Sequence, residues 1–126
     1  MSKLFIEETN KTPEIDFNLE KGVLSISGVS VPENAHDFYF PTIIWLKNNI
    51  ERATNPTIEF SCKISYLNTS SLQFLSDIFF TLETISSPSK EVLVNWYYDK
   101  FDTDMKETGI DFKDILSLDF NLIAVE

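Results

Sequence analysis

The sequence of 126 residues is poor in several residue types, and each shortage argues against a class of function. A single cysteine can form neither an internal disulfide nor a cysteine-cluster metal site. Three glycines, scattered at positions 22, 28 and 109, cannot build a glycine-rich phosphate loop. The one histidine, His36, has no companion motif, so a hydrolase-type catalytic base has little support.

Basic residues are also scarce. Ten Lys and Arg stand against twenty Asp and Glu, which gives a formal net charge of −10 at pH 7 and a pI near 4.4. Nucleic-acid binding depends on clustered Lys and Arg, so we expect no nucleic-acid partner but one with a neutral or basic surface. No stretch approaches the roughly 18 apolar residues of a membrane span, and the N-terminus turns acidic too soon for a signal peptide. We expect a cytoplasmic protein without membrane insertion.

Hydrophobic residues make up 43% of the chain and include 11 Phe, which is typical of a globular protein. We predict one domain spanning residues 1–126. Periodicity and turn residues predict strands near 4–7, 14–18 and 23–27, a helix over 35–53, a strand over 58–66, and a helix ending near 85. A strand over 92–97, a helix from 102 or 103 and a strand over 120–125 complete the order. Strands separated by helices favour an α/β fold with a mixed sheet.

The strand over 58–66 alternates strictly, with apolar residues at the even positions, including Cys62 and Tyr66. We expect this apolar phase to be buried and the polar phase to lie on a wet face. Helices mainly on one face of the sheet would satisfy both requirements.

Three large apolar residues project away from the predicted packing faces of the first two helices. They are Phe40 and Ile44 on the first helix and Phe80 on the second. Such residues can mark a partner site, although single exposed apolar residues are also common. Pro41 lies inside the first helical pattern, so we expect either a kink or a main helix that begins near Pro41.

The alternating strand is followed by Asn68 and by a cluster of three hydroxyl residues, Thr69, Ser70 and Ser71. Ser and Thr are ordinary helix N-caps, and a helix N-terminus also accommodates a phosphate. Capping and phosphorylation are therefore both open at this turn.

The segment from Asp99 to Asp104 holds three carboxylates but lacks the glycine bend and distal glutamate of a calcium loop. Capping of a helix by Asp102 explains it better, and we predict no metal, no cofactor and no enzymatic activity. An alternative is a small-ligand or catalytic domain that uses Tyr66, Asn68 and Asp99 at the sheet end. A third possibility is a structural subunit with a large dimer interface.

Five short segments, taken together, resemble the SiaC family of bacterial regulatory phosphoproteins. They are Ser30-Val31-Pro32-Glu33-Asn34, Phe38, Pro41 with Trp45-Leu46, Tyr66-Leu67-Asn68-Thr69-Ser70-Ser71, and Trp96-Tyr97-Tyr98-Asp99. They occur in order over nearly the whole chain. The pair formed by Pro-Glu-Asn and Leu-Asn-Thr-Ser-Ser is the most specific element.

The resemblance implies that Thr69 is a phosphoacceptor surrounded by Asn68, Ser70 and Ser71. It also implies a cognate Ser/Thr kinase and a phosphatase, and a diguanylate cyclase that the unmodified protein binds and activates. The implied fold is similar to that of the anti-anti-sigma (STAS) domains, although Asn68 and Ser71 replace the acid and the glycine of their Asp-Ser-Ser-Gly pattern.

Candidate partner-binding residues are those of the Pro-Glu-Asn motif and the projecting apolar side chains, namely Pro32, Glu33, Asn34, Phe40, Ile44 and Phe80. A phosphate adds about −1.5 to −2 charges. Because no Lys or Arg occurs between Lys63 and Lys90, we expect this charge to repel or block a partner and not to be paired locally.

Overall fold

The computed structural model describes residues 2–126, which form six strands, three α-helices and one 3-10 turn. In chain order the elements are β1 (Lys3–Ile6), β2 (Glu14–Asn18), β3 (Val23–Ser30), α1 (Ala35–Asn49), the 3-10 turn (Ile50–Arg52), β4 (Thr57–Leu67), α2 (Thr69–Ile85), β5 (Glu91–Asp99), α3 (Thr103–Ile115) and β6 (Asp119–Val125). The predicted order of elements is confirmed.

All six strands join one sheet in the order β1-β2-β3-β4-β5-β6. The first three strands pair antiparallel, and β3 to β6 pair parallel with a helix in each crossover. Short loops permit the antiparallel hairpins, whereas parallel neighbours need a long crossover. The predicted α/β fold with a mixed sheet is therefore confirmed.

The core lies between one face of the sheet and the three helices. On β4 the even residues Ile58, Phe60 and Cys62 are buried, while the odd residues between them are half-buried or exposed. The helices contribute to the same cluster through residues such as Phe79 and Phe112. This arrangement confirms helices on one face, since the polar phase of β4 then faces water.

A β-bulge near the end of β4 changes the phase of the strand. Gly28 of β3 pairs with Ile64, but the next residue, Val29, pairs with Tyr66, so Ser65 is an extra residue in the ladder. Tyr66 is consequently 63% exposed and the following Leu67 packs against the core. The prediction that Tyr66 continues the buried phase is wrong, because strict alternation cannot reveal an inserted residue.

Helix α1 begins at Ala35, where Asn34 Oδ1 accepts a hydrogen bond of 3.1 Å from the Asp37 amide. It continues through Pro41 to Asn49. The alternative in which a main helix starts near Pro41 is wrong, since the Asn34 cap already starts the helix one and a half turns earlier. Among the helices in residues 2–126, none is long and apolar enough to cross a membrane.

Helix α3 begins after Asp102, whose Oδ1 accepts from the Met105 amide at 3.0 Å, as predicted for its capping role. The helix packs closely on β5, because the Trp96 indole N–H donates to the Met105 carbonyl at 3.1 Å. Gly109 lies against the same indole. Within residues 2–126, no group of three His, Cys, Asp or Glu side chains is arranged to hold a metal ion.

Candidate functional site

The hydroxyl cluster lies where β4 ends and α2 begins, at the carboxyl end of the parallel strands. Asn68 is the N-cap of α2, and its Oδ1 accepts from the Ser71 amide at 3.1 Å. Thr69 is the first helical residue. Of the candidates for the helix cap, Asn68, Ser70 and Ser71, it is Asn68 that takes the N-cap position, and Ser70 and Ser71 lie inside the first turn of α2.

The three hydroxyl side chains of the cluster have different environments. Thr69 is exposed, and its hydroxyl makes no hydrogen bond to any residue that the structure describes. Ser70 is also exposed, but its hydroxyl donates to Asn68 Oδ1 at 3.2 Å. Ser71 is fully buried. Thr69 is therefore the hydroxyl of this turn that is both accessible and unengaged.

Ser71 belongs to a buried chain of hydrogen bonds that ends at the helix cap. Its hydroxyl accepts from the Ser30 hydroxyl at 2.9 Å and has two acceptors within reach, Asn68 Oδ1 at 2.6 Å and the Ser30 carbonyl at 3.3 Å, of which Asn68 Oδ1 is the closer. Ser30 Oγ lies 2.5 Å from the Tyr39 hydroxyl oxygen. Since each hydroxyl carries one hydrogen and Ser30 gives its own to Ser71, Tyr39 must donate to Ser30. The hydrogen bonds thus run in one direction, from Tyr39 through Ser30 and Ser71 to Asn68.

This chain of hydroxyls connects segments that are far apart in sequence. Ser30 ends β3, and its carbonyl accepts from the Asn68 amide at 3.0 Å. Asn68 Nδ2 donates to the Pro32 carbonyl at 3.5 Å, which directs Oδ1 toward the helix. The structure therefore brings the Ser30–Asn34 segment into contact with the Asn68–Ser71 turn.

Tyr39 was missed as part of this site, because its helical spacing identified it only as a packing residue. Its ring stacks on Phe74 at 5.7 Å between centroids, and burial raises the pKa of its hydroxyl to about 12. The hydroxyl is thus protonated at physiological pH and available as a donor. The available signal was a tyrosine at a core position, since a buried phenol needs a hydrogen-bond partner.

The charged side chains that line the groove next to the turn are both acidic. A groove of about 220 Å³ is lined by Tyr66, Leu67 and Leu72 together with Asp102 and Asp104. Among the residues that the structure describes, none that lines this groove is basic. A phosphate on Thr69 would therefore add negative charge to an already negative surface.

The candidate residues of the Pro-Glu-Asn motif have separate roles. Pro32 is buried, whereas Glu33 and Asn34 are exposed. Lys11 Nζ lies 2.8 Å from Glu33 Oε1, and this pairing lowers the pKa of Glu33 and raises that of Lys11. Glu33 is thus the charged candidate on this loop, and Asn34 is committed to capping α1.

The projecting apolar residues are exposed, as predicted, with fractions of 46% for Phe40, 39% for Ile44 and 44% for Phe80. Phe40 and Ile44 lie one turn apart on the same side of α1. Phe74 marks the side of α2 that faces α1. Phe80, six residues later, is rotated by about 120° from it. Two of the three residues thus belong to α1 and the third to α2, the helix packed beside it.

The alternative ligand site does not converge in the structure. Asp99 lines a cavity of about 580 Å³ that includes neither Tyr66 nor Asn68. Tyr66 lines the smaller groove, which includes neither Asn68 nor Asp99. Asp99 Oδ1 accepts from the Phe101 amide at 2.8 Å, and Asn68 is engaged in the cap. Tyr66 and Asp99 thus line two adjoining cavities and Asn68 lines neither, so the three side chains do not converge on one site.

Comparisons with known proteins point to one family. The family model described as SiaC family regulatory phosphoprotein matches residues 6–125. A protein of Pseudomonas aeruginosa strain UCBPP-PA14, described as uncharacterized, is 32% identical over 124 residues, which cover 98% of each chain. The crystal structure of apo-SiaC from P. aeruginosa has a TM-score of 0.87 and 31% identity, with 98% of this chain and 100% of that chain covered.

A second solved structure contains a partner. It is the crystal structure of the diguanylate cyclase SiaD in complex with its activator SiaC from P. aeruginosa. The matched chain has a TM-score of 0.85 and 30% identity, with 97% of this chain and 99% of that chain covered.

Proposed function

Because the chain belongs to the SiaC family of regulatory phosphoproteins, we propose that it is a regulator whose unphosphorylated form binds and activates a diguanylate cyclase, and that phosphorylation of Thr69 ends this interaction. A cognate Ser/Thr kinase adds the phosphate and a phosphatase removes it. The protein itself catalyses no reaction in this scheme.

The observation that carries the cyclase assignment is the relative solved in complex with SiaD, which it activates. The match covers 97% of this chain at a TM-score of 0.85, so it extends over the sheet and all three helices. A backbone of similar shape therefore supports a similar mode of binding for a similar partner here.

The phosphorylation site rests on the accessibility of Thr69. Its hydroxyl is exposed and unengaged by any described residue, while the hydroxyls of Ser70 and Ser71 turn toward Asn68. A kinase active site needs an accessible hydroxyl, and Thr69 meets this condition without local unfolding.

The electrostatics support repulsion of the partner by the phosphate. The first amides of α2 lack intrahelical partners and can donate hydrogen bonds to a phosphate oxygen, so the helix itself tolerates the modification. Asp102 and Asp104 line the neighbouring groove, and the chain carries a net charge of −10. An uncompensated charge buried against a partner weakens binding strongly.

We expect Thr69→Ala to abolish phosphorylation of the protein in its native cells. Trypsin cleavage after Lys63 and Lys90 releases residues 64–90 as one peptide, whose fragmentation by mass spectrometry separates the three acceptor positions. Ser70→Ala serves as the matched control and should retain phosphate at Thr69. Phosphate elsewhere in the Thr69→Ala protein, at the wild-type level, would contradict the assignment.

We expect Thr69→Asp to weaken binding of the cyclase by about tenfold or more, because the carboxylate places a charge at the interface. The partner is captured by affinity purification with the wild-type chain, identified by mass spectrometry and assayed for conversion of GTP to cyclic di-GMP. Gln73→Glu adds one charge on the same helix one turn later and should have a smaller effect. Equal activation by wild type and Thr69→Asp would reject repulsion as the mechanism.

A further inference from the structure

Resting on the proposed function, we propose that the hydroxyls of Tyr39, Ser30 and Ser71 are positioning groups that select Thr69 as the phosphoacceptor. They act through the Asn68 side chain, which holds the neighbouring hydroxyls and leaves Thr69 free. Phosphorylation of Thr69 and not of its neighbours then depends on the buried hydrogen bonds as well as on the local sequence.

The first step of the argument is the role of Asn68 Oδ1 as a shared acceptor. It accepts from the Ser71 amide at 3.1 Å, from the Ser71 hydroxyl at 2.6 Å and from the Ser70 hydroxyl at 3.2 Å. Two of the three candidate hydroxyls therefore converge on one oxygen atom. A hydroxyl that donates to this oxygen and lies against the helix start is poorly placed for an incoming phosphoryl group.

The second step is the orientation of the Asn68 amide. If this amide turned over, its NH2 group would face the Ser71 amide, and two donors would confront each other. The Ser71 hydroxyl opposes the reversal because Oδ1, at 2.6 Å, is the nearer of its two acceptors, the other being the Ser30 carbonyl at 3.3 Å. Ser71 is oriented in turn by the hydrogen from Ser30, and Ser30 by the hydrogen from Tyr39.

The third step is burial. Ser30, Tyr39 and Ser71 are each 0% exposed, so water does not replace a lost member of the chain without rearrangement. An unsatisfied buried hydroxyl is unfavourable, and the remaining groups must find new partners. Loss of one hydroxyl therefore disturbs the hydrogen bonds of Asn68, both through the Ser71 hydroxyl and through the Ser30 residue whose carbonyl accepts from the Asn68 amide.

The test compares Tyr39→Phe and Ser71→Ala with two matched controls. Tyr98→Phe removes a phenol that makes no hydrogen bond to the described residues, and Ser76→Ala removes a hydroxyl on α2 that donates only to the Leu72 carbonyl. The full chain is used for every variant. Two variants at opposite ends of the chain of hydroxyls keep the test decisive if one of them folds poorly.

The first readout needs no kinase. Hydrogen exchange of the residue 71 amide, followed by NMR, should become about five- to tenfold faster in Tyr39→Phe and Ser71→Ala, while the amides of α3 keep their wild-type rates. The controls should match the wild type. Unchanged exchange at position 71 in both variants would overturn the inference, because the cap would then not depend on the buried hydroxyls.

The second readout is the distribution of phosphate over the peptide of residues 64–90 from native cells. Both variants should lose selectivity, with phosphate appearing at Ser70 beside Thr69, which a merely stabilising role would not produce. Phosphate confined to Thr69 in both variants would also overturn the inference. Absence of phosphate from Thr69 in the wild type would instead reject the proposed function, and the exchange experiment would still decide the role of the hydroxyls.

Discussion

Thr42 on α1 shows that a buried polar side chain in this protein can lack a partner. It is 0% exposed, and its Oγ1 makes no hydrogen bond to the residues described. We expect Thr42→Val to stabilise the protein by about 1 kcal/mol, since the substitution removes an unsatisfied hydroxyl and nearly keeps the shape. Urea unfolding measures the change.

Thr81 is the matched control for this substitution. It is 7% exposed, but its hydroxyl donates to the Asp77 carbonyl at 2.8 Å. Thr81→Val should therefore bring no gain. Stabilisation of equal size at both positions would mean that a general preference for valine, and not the missing hydrogen bond at Thr42, is responsible.

At the residue scale the sequence predicted chemistry that depends on local neighbours. The Asn68–Ser71 turn, the Asp102 cap and the buried Cys62 all follow from spacing within a few residues. The roles of Ser30 and Tyr39 could not be predicted in this way. The Ser30 hydroxyl meets Ser71 across 41 positions of sequence and Tyr39 across 9, and only the packing of β3, α1 and α2 brings the three together.

The packing of α3 against the sheet depends on one small residue, Gly109. A Cβ added at Gly109 would lie 2.5 Å from Trp96 Cδ1 and 2.7 Å from Leu122 Cδ2. We expect Gly109→Ala to destabilise the protein by about 1–3 kcal/mol, because overpacking outweighs the roughly 1 kcal/mol gain in helix propensity. The denaturation midpoint and the near-UV dichroism of Trp96 provide the measurement.

Thr108→Ala, one residue earlier on α3, should change stability by no more than about 0.5 kcal/mol, since Thr108 is a partly exposed helix residue. If Gly109→Ala changed the stability as little as Thr108→Ala, the inference that α3 packs closely on Trp96 would be wrong. The sequence alone gave no indication of this contact, in which Gly109 was only one of three scattered glycines.

The existence and order of the elements were predictable because hydrophobic periodicity reports the side that each one buries. The boundaries of the helices and strands were less predictable. Four successive residues at the start of α2 can all cap a helix, and the sequence does not distinguish them. Asn68 is the N-cap because its Nδ2 also donates to the Pro32 carbonyl, a contact that only the tertiary structure provides.

For the molecule as a whole, we predict a single cooperative unfolding transition, as expected for one domain. Trp45 packs on Phe17 near one end of the core, and Trp96 packs on Phe112 and Phe120 near the other. Both belong to the same contiguous set of apolar contacts. Unfolding should therefore reach both tryptophans at once.

In Trp45→Phe the fluorescence comes from Trp96 alone, and in Trp96→Phe it comes from Trp45 alone, so the two variants report the two ends of the core separately. Each substitution itself changes the midpoint of unfolding, so the two variants are not compared with each other. Circular dichroism of the same variant is the internal control, and it should give the same midpoint as the fluorescence. A fluorescence transition that precedes the dichroism change in either variant would show that the two ends unfold independently.

The bulge at Ser65 has a consequence for how this chain can change in length during evolution. Deleting Ser65 would restore regular pairing between β3 and β4 and leave the partners Val29–Tyr66 and Ser30–Leu67 unchanged, so Leu67 would stay on the core face. One residue inserted after Tyr66, by contrast, would move Leu67 to the other face of the sheet and rotate the Asn68–Ser71 turn out of contact with Ser30. Insertions and deletions should therefore accumulate at Ser65 and in turns such as Ser87–Lys90, while the number of residues between Tyr66 and Thr69 stays constant among relatives that keep the Asn68–Ser71 turn.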